Sequence, residues 1–214
     1  MPRITKLETQ KKRKSRVNVH LDGSYGFSVG AMVALSLEIG QELDDSAIAE
    51  LEHQDALERA HDRALHFLSF RPRSCLEVEK YLQGKGADPG IIEEEVSRLV
   101  SVGLLDDAAF ARYWVENRET FRPRGAWALR HELRRKGVAD DIVSEALEGL
   151  DLEESAYRAA QKRAERDAHL DKHAFRRHVG DHLRRRGFSY EVIRPVVDRL
   201  WGEVRRSGED GSLG

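Results

Sequence analysis

A repeat of about fifty residues is the feature that most constrains how this chain of 214 residues can fold. Three glycines, Gly86, Gly137 and Gly187, each follow a leucine by four positions and another apolar residue by eight. Glycine readily takes the left-handed conformation that closes a helix, so each of these stop glycines is predicted to end one. The apolar residues before them are Val78 with Leu82, Leu129 with Leu133, and Val179 with Leu183.

Apolar residues also return at matching positions after each stop glycine, with the spacing of one helical face. They are Ile91, Ile92, Val96 and Leu99; Ile142, Val143, Leu147 and Leu150; and Val192, Ile193, Val197 and Leu200. One repeat is long enough for three short helices, and no single helix could bury its apolar face alone. The sequence therefore predicts a mainly α protein of three tandem three-helix repeats, stacked in an elongated, curved array.

Two of the predicted helices carry specific expectations. Phe110, Tyr113, Trp114 and Phe121 have the spacing of one helical face and are predicted to form a buried aromatic stripe. Pro195 falls inside the last helix, where a proline costs roughly 3 kcal/mol, so we expect either a kink or a later helix start there.

The first forty residues have a β-strand pattern instead. Val17, Val19 and Leu21 alternate with polar residues, and the alternation resumes after Asp22-Gly23, the strongest short hairpin signal. Residues 4–9 fit a further strand, so we predict a small three-stranded antiparallel sheet containing a β-hairpin. The basic loop at 11–14 could contact phosphate or could be a solvated hairpin tip.

This N-terminal β module is predicted to end with a short helix from about Ala31 to Leu37. An acidic helix should then lead into the first repeat, and the composition of the last eight residues is that of a disordered tail. The predicted divisions are 1–44 for the β module, 45–104, 105–150 and 151–206 for the three repeats, and 207–214 for the tail.

Two Phe-Arg-Pro-Arg elements interrupt helices at equivalent places in the first and second repeats. They span residues 70–73 and 121–124, and we call them the first and second elbows. Proline disfavours helix in the residue before it, so each predicts a turn between helices. After the first elbow, Ser74 and Glu77 predict a capping box. The elbow arginines either shape these turns or contact an anion or a protein partner, and both could hold together.

Composition and charge exclude several classes of protein. The net charge of −2 conceals a basic N-terminus, an acidic stretch at 38–58 and a basic stretch from Arg158 to Arg186. No apolar run approaches the length of a membrane span and no signal-peptide core follows the basic N-terminus, which predicts a cytoplasmic protein. The single cysteine, Cys75, excludes an internal disulfide.

The chain lacks the patterns of a catalytic or cofactor site. Its glycines do not form a phosphate-binding loop. His169, His173, His178 and His182 can place imidazoles on one helical face, but the arginines around them would repel a cation. We therefore predict no metal, no cofactor and no enzymatic activity.

Several motifs, in order along the chain, resemble the RecX family of regulatory proteins. They are Ala64-x-x-x-Leu68-Ser69-Phe70-Arg71-Pro72-Arg73-Ser74, Gly103-Leu104-Leu105-Asp106-Asp107-x-x-Phe110-Ala111-x-x-Trp114-Val115 and Leu129-x-x-Glu132-Leu133-x-x-Lys136-Gly137-Val138. The resemblance covers roughly residues 56 to 203, that is, all three repeats. It implies tandem three-helix repeats in a cytoplasmic bacterial protein.

The resemblance also implies a partner. Members of the family bind the filament that the RecA recombinase forms on DNA, and down-regulate its strand exchange, ATP hydrolysis and co-protease activities in recombinational repair and the SOS response. They carry no catalytic residues, and their binding surface is broad and basic. Candidate contacts to RecA, or to single- or double-stranded DNA, are Arg71, Arg73, Arg122, Arg124, Trp127, Arg134, Arg135, Lys136, Arg184, Arg185 and Arg186.

Two other functions fit parts of the pattern. A free-standing helix-turn-helix-like module that reads duplex DNA and regulates transcription would have similar short helices and glycine turns. The lack of one dominant recognition helix and of a dimerisation seam disfavours it, and a monomer is the simpler expectation. A scaffold that binds only protein is the third possibility.

Overall fold

The computed structural model describes residues 1–11 and 14–210, and of residues 207–210 the backbone alone. Lys12 and Arg13 of the predicted basic loop, and 211–214 of the predicted tail, lie outside the described residues. The fold is mainly helical with an N-terminal three-stranded antiparallel sheet, as predicted. The chain divides into two compact units, Met1–Leu105 and Asp106–Gly214.

The first unit begins with the antiparallel sheet, whose strand order is β1-β2-β3. Its strands are β1 (Ile4–Thr9), β2 (Arg16–Leu21) and β3 (Ser24–Gly30). Asp22 and Gly23 connect β2 to β3 with φ angles of 49° and 84°, the left-handed conformations of a type I′ hairpin turn. The predicted Asp-Gly hairpin is confirmed.

One long helix joins the sheet to the first repeat. The short helix α1 (Ala31–Ala34) follows β3, and α2 (Asp45–Leu68) then runs without interruption from the acidic leader into the repeat. Leu51 of α2 packs in the core of the sheet, whereas Ala60 and Ala64 pack in the core of the repeat. Residue 44 therefore marks where α2 begins, not where the packing of the sheet ends.

Asp55 attaches α2 to the sheet. Its carboxylate is buried and accepts hydrogen bonds from the Arg16 guanidinium, at 3.0 and 3.1 Å, and from the Gly30 amide, at 2.6 Å. Arg59 Nε lies 3.1 Å from the same carboxylate. A buried carboxylate requires such partners. Deleting residues 1–44 would remove two of them and uncover Leu51, so that truncation would not leave the first repeat intact.

The remaining helices complete the three repeats. In the first unit they are α3 (Cys75–Gly84) and α4 (Pro89–Ser101). In the second unit they are α5 (Asp107–Phe121), α6 (Ala126–Arg135), α7 (Asp140–Ala146), α8 (Leu152–Arg166), α9 (Lys172–Arg185) and α10 (Tyr190–Asp210). No described helix is both long and apolar enough to cross a membrane.

The pattern around the stop glycines is confirmed. Gly86, Gly137 and Gly187 have φ angles of 76°, 82° and 85°, so each closes a helix in the left-handed conformation. The leucine four positions earlier and the apolar residue eight positions earlier are fully buried in all three repeats. Each repeat has its own hydrophobic core.

The predicted aromatic stripe of α5 is wrong at one end. Phe110 is 1% exposed, but Phe121 is 77% exposed. Phe121 is the last residue of α5, where the chain turns into the second elbow, so no neighbouring helix covers it. Its side chain is available at the surface.

Two expectations for the last helix also need correction. α10 begins at Tyr190 and contains Pro195 in its second turn, so of the two alternatives for this proline the later helix start is wrong, and the kink stays a prediction. At that position the proline removes the hydrogen bond to the Glu191 carbonyl, and its ring crowds the same carbonyl. A disordered tail was predicted from residue 207, but α10 extends to Asp210, because a helix anchored by buried residues such as Leu200 propagates beyond its packed part.

Candidate nucleic-acid and partner interface

The arginines of the first elbow interact within their own repeat. Arg71 donates to both carboxylate oxygens of Glu77, at 2.8 and 3.1 Å. The Arg73 guanidinium lies over the Phe67 ring, 3.8 Å from its centroid. Ser74 and Glu77 form the predicted capping box at the start of α3. These arginines therefore stabilise the turn between α2 and α3.

The second elbow is followed by smaller residues at the two positions that form this capping box. Gly125 and Ala128 replace the serine and the glutamate. The Gly125 amide donates to the Arg186 carbonyl at 3.0 Å, and a Cβ on Gly125 would collide with the backbone of Gly187. The stop-glycine turn of the third repeat therefore packs directly on the second elbow.

The second elbow also leaves its first arginine without a carboxylate. Arg122 is exposed and has no ion-pair partner among the described residues. Arg124 Nε lies 3.8 Å from Glu132, which already accepts hydrogen bonds from Trp114 Nε1 at 2.9 Å and Arg118 Nε at 2.8 Å. The first arginine of the Phe-Arg-Pro-Arg sequence is thus paired with a carboxylate in the first repeat and has no ion-pair partner among the described residues in the second.

Arg186 of the third repeat adds a further positive charge to the second elbow. Its guanidinium donates to the Pro123 carbonyl at 3.3 Å. Burial lowers the pKa of Arg186, and repulsion by Arg124 and Arg122 lowers it further. Three guanidinium groups from two repeats are therefore close enough to repel one another, which favours the binding of an anion.

A cleft of about 440 Å³ opens beside this group of arginines, and we call it the cationic cleft. It lies between the C-terminal end of α5, one face of α8 and the end of α9. Besides Arg122 and Arg186, its basic lining residues are Arg158, Lys162, Arg163, Arg166 and His182. These five were not among the candidate contacts predicted from the sequence, although all of them lie in its basic stretch from Arg158 to Arg186. The signal was the four-residue spacing of positions 158, 162 and 166, which places all three on one helical face.

The other candidate residues differ in their exposure and in whether their side chains already have partners. Trp127 is 72% exposed, stacks on His131 and lines an apolar cavity of about 320 Å³. The Lys136 ammonium lies 4.2 Å from the centroid of the Trp114 ring, so part of its role is packing. On the surface, Arg134 pairs with Asp140 and Arg184 pairs with Asp181, whereas Arg135 and Arg185 are exposed without an ion-pair partner in the described chain.

The histidines of the third repeat have separate partners. His169 Nδ1 lies 3.2 Å from the Arg166 carbonyl, and His182 Nε2 lies 3.1 Å from the Ala159 carbonyl. His178 Nδ1 lies 3.4 Å from Asp167. Within residues 1–11 and 14–210, no group of three or more His, Cys, Asp or Glu residues could hold a metal ion.

Sequence models of one protein family match the N-terminal β module and most of each of the three repeats. The RecX N-terminal domain matches residues 2–44, and the first, second and third RecX three-helix domains match residues 60–99, 106–147 and 151–197. The sequence resemblance began at about residue 56, so these matches extend it to the N-terminal β module.

Individual relatives cover nearly the whole chain. The regulatory protein RecX of Bacillus subtilis (strain 168) is 38% identical over 100% of this chain and 83% of its own length. The Bacillus licheniformis protein of the same name is 35% identical over 99% of this chain and 81% of its own length.

Solved structures agree with this relationship. A crystal structure of regulatory protein RecX superposes with a TM-score of 0.73 at 30% identity, covering 92% of this chain and 100% of that one. The crystal structure of RecX from Lactobacillus salivarius gives a TM-score of 0.63 at 26% identity, covering 69% and 97%. The chain belongs to the RecX family of regulatory proteins.

Proposed function

We propose that this protein binds the RecA filament on DNA and lowers its activities, namely strand exchange, ATP hydrolysis and co-protease function, in recombinational repair and the SOS response. It would act in the cytoplasm as a monomer without a cofactor. Membership of a family of regulatory proteins supports a regulatory role. The filament, and its DNA in particular, is the partner that best fits the basic surfaces of the chain.

The observation that carries this proposal is the set of cations without acidic partners in the second and third repeats. Arg122, Arg135 and Arg185 are exposed and have no ion-pair partner among the described residues. Surface cations are normally interspersed with acids, so each cation left unbalanced adds positive potential to the surface and attracts a polyanion. A nucleoprotein filament presents such a polyanion along its length.

The test is RecA ATP hydrolysis on single-stranded DNA, measured with increasing amounts of the full-length protein. We expect the wild-type protein to inhibit hydrolysis. Arg135→Glu combined with Arg185→Glu should weaken inhibition by about tenfold or more, because each reversal replaces an attraction to phosphate with a repulsion. Lys136 is left unchanged, since its ammonium packs on Trp114 and its substitution would disturb the core of the repeat.

A matched control combines Lys80→Glu with Arg98→Glu. These two residues are exposed cations of the first unit without an ion-pair partner in the described chain. This control changes the net charge equally and should inhibit like the wild type. Absence of inhibition by the wild-type protein would refute the proposed function. Equal weakening in both double variants would refute the role of these two positions.

The second candidate is a free-standing DNA-binding module, and the basic last turns of the short helices α6 and α9 are the observation that favours it. A pull-down of the protein with RecA filaments, compared with the same DNA alone, separates the two functions. Binding that does not increase when RecA coats the DNA would favour the free-standing module. Binding to neither would favour a protein-only scaffold.

A further inference from the structure

The cationic cleft lies within the second unit and is built from two repeats. The C-terminal end of α5 and the second elbow form one wall, and α8 with the end of α9 forms the other. Its volume of about 440 Å³ is comparable with that of a small-molecule pocket, but the cleft is open to solvent along its side. An open cleft of this kind can admit a segment of a polymer that enters and leaves it.

Glu119 is the acid that lines the cleft, and one of its carboxylate oxygens is engaged by neighbouring side chains, whereas the other is buried without a hydrogen-bond partner among the described residues. Glu119 accepts hydrogen bonds from Ser155 Oγ at 2.5 Å and from Arg158 at 2.6 Å. Arg163 Nε donates to Asp167 at 2.7 Å. The cleft therefore retains cations with no acidic partner among the described residues, and these are Arg122, Lys162, Arg166 and Arg186.

These four cations come from three separate elements and surround one space. Arg122 projects from the second elbow, Lys162 and Arg166 are one turn apart on α8, and Arg186 follows α9. Like charges held together by the fold raise its electrostatic energy until a counter-ion binds. The side chains are the source of this potential, since α5 and α9 end at the cleft with their electronegative C-termini.

Phe121 identifies the class of anion. It lines the cleft at the end of α5, and its ring is 77% exposed. An exposed aromatic ring beside a row of cations is the arrangement that proteins use to bind single-stranded nucleic acids, in which bases stack on the ring and phosphates meet the cations. A duplex keeps its bases paired and would leave the ring unused. An acidic peptide would use the cations but would gain little from the ring.

We propose that the cationic cleft binds a single nucleic-acid strand, with phosphates held by Arg122, Lys162 and Arg166 and a base stacked on Phe121. This inference deepens the proposed function, on which it rests for its biological context, by assigning a specific contact to the DNA strand. It can be tested without RecA.

The experiment measures binding of the full-length protein to a fluorescein-labelled oligothymidylate of about 20 nucleotides by anisotropy, from about 50 to about 200 mM salt. In the cleft variant, Arg122→Gln, Lys162→Gln and Arg166→Gln are combined. We expect its affinity to fall by about tenfold or more at low salt, and the slope of log K against log salt to become shallower by about 2. The three side chains are exposed, so the fold should be retained, and circular dichroism checks this.

The matched control combines Lys80→Gln, Arg98→Gln and Arg112→Gln, three exposed cations outside the cleft without ion-pair partners in the described chain. It loses the same charge and should bind within about twofold of the wild type. Phe121→Ala should weaken binding by about fivefold or more, and Phe121→Trp should restore it, because base stacking requires an aromatic ring.

An equal loss of affinity in the cleft variant and the control would overturn the inference, since net charge alone would then explain binding. A Phe121→Ala protein that binds like the wild type would also overturn it. Polyglutamate with the same number of negative charges as the oligonucleotide serves as competitor. If it displaces the labelled oligonucleotide as well as unlabelled oligonucleotide does, the cleft is a site for acidic protein instead. Inhibition of RecA is measured separately, so a failure of the proposed function leaves this result interpretable.

Discussion

The first and second elbows have the same Phe-Arg-Pro-Arg sequence and different surroundings. In the first, Arg71 forms a two-pronged ion pair with Glu77, and Ser74 caps the next helix. In the second, Gly125 and Ala128 stand at the serine and glutamate positions, and Arg122 has no ion pair among the described residues. The difference lies in two residues just outside the shared motif.

This comparison shows how a repeat can change its role without changing its fold. The small residues after the second elbow admit the stop-glycine turn of the third repeat, which brings Arg186 beside Arg122 and Arg124. Gly125 and Ala128 together permit the close packing between repeats, and Ala128 also lacks the carboxylate that balances the arginine of the first elbow. One elbow is a structural turn, and the other provides part of a cleft.

The largest expected effect comes from exchanging the residue after the elbow. Gly125→Ser should destabilise the second unit by about 4 kcal/mol or more, because the new side chain would overlap the backbone of Gly187. The reverse change, Ser74→Gly, should cost less, about 1 kcal/mol, because glycine is tolerated at a helix N-cap but the buried serine hydroxyl and its hydrogen bond are lost. Urea unfolding followed by circular dichroism measures both, and similar midpoints for the two variants would show that the elbows are packed alike.

A second effect separates the stop glycines. Gly86 and Gly187 both have positive φ angles, but a Cβ on Gly86 meets no atom within 4 Å, whereas one on Gly187 would overlap Ala128. Gly86→Ala should therefore cost only the left-handed conformation, about 1–2 kcal/mol. Gly187→Ala should cost about 3 kcal/mol, because overpacking is added. Equal losses in thermal unfolding would contradict the packing of the third repeat on the second elbow.

The sequence predicted the repeats because their determinants are local. The stop glycines, the leucines four positions before them, the Asp22-Gly23 hairpin and the Ser74 capping box all depend on neighbours a few residues away. The helical pattern and the sheet therefore followed from periodicity and from turn chemistry.

The cleft could not be predicted in the same way, because it depends on contacts between residues far apart in the sequence. Gly125 directly follows the second elbow in the sequence, but its close approach to Gly187 became apparent only in three dimensions. Phe121 fits the helical stripe by its spacing, but it lies beyond the helices that cover Phe110 and the rest of the stripe. Arg71 is paired because Glu77 lies within its reach, and Arg122 is unpaired among the described residues because Ala128 stands at the corresponding position. The apolar spacing of the repeats does not reveal this difference.

A smaller effect should fall on stability in the first elbow and on oligonucleotide affinity in the second. Arg71→Gln should cost about 0.5–1 kcal/mol of stability, because its ion pair is partly exposed and screened, and should leave oligonucleotide affinity unchanged. Arg122→Gln should change stability by less than about 0.5 kcal/mol and should reduce affinity severalfold. Urea unfolding and oligonucleotide anisotropy are measured on both variants. A single arginine that governed both stability and affinity would contradict the comparison.

The smallest effect concerns pH and His182, which occupies the position held by Tyr81 in the first repeat and Glu132 in the second. Burial lowers the pKa of His182, and repulsion by Arg186, Arg163 and Arg185 lowers it further, although its hydrogen bond to the Ala159 carbonyl acts in the opposite direction.

Because the folded state resists protonation of His182, the unfolded state takes up the proton first as pH falls below the ordinary histidine value. The stability contributed by the neutral ring is therefore complete above that value and is lost during acidification.

His182→Gln keeps a hydrogen-bond donor and removes the titration. Between about pH 7.5 and pH 5.5, the melting temperature of this variant should therefore fall by about 1–2 °C less than that of the wild type. A nucleic-acid strand in the cleft should reduce this difference, because its phosphates offset the repulsion from the arginines. Parallel pH dependences in the free proteins would show that His182 does not experience the field of the cationic cleft.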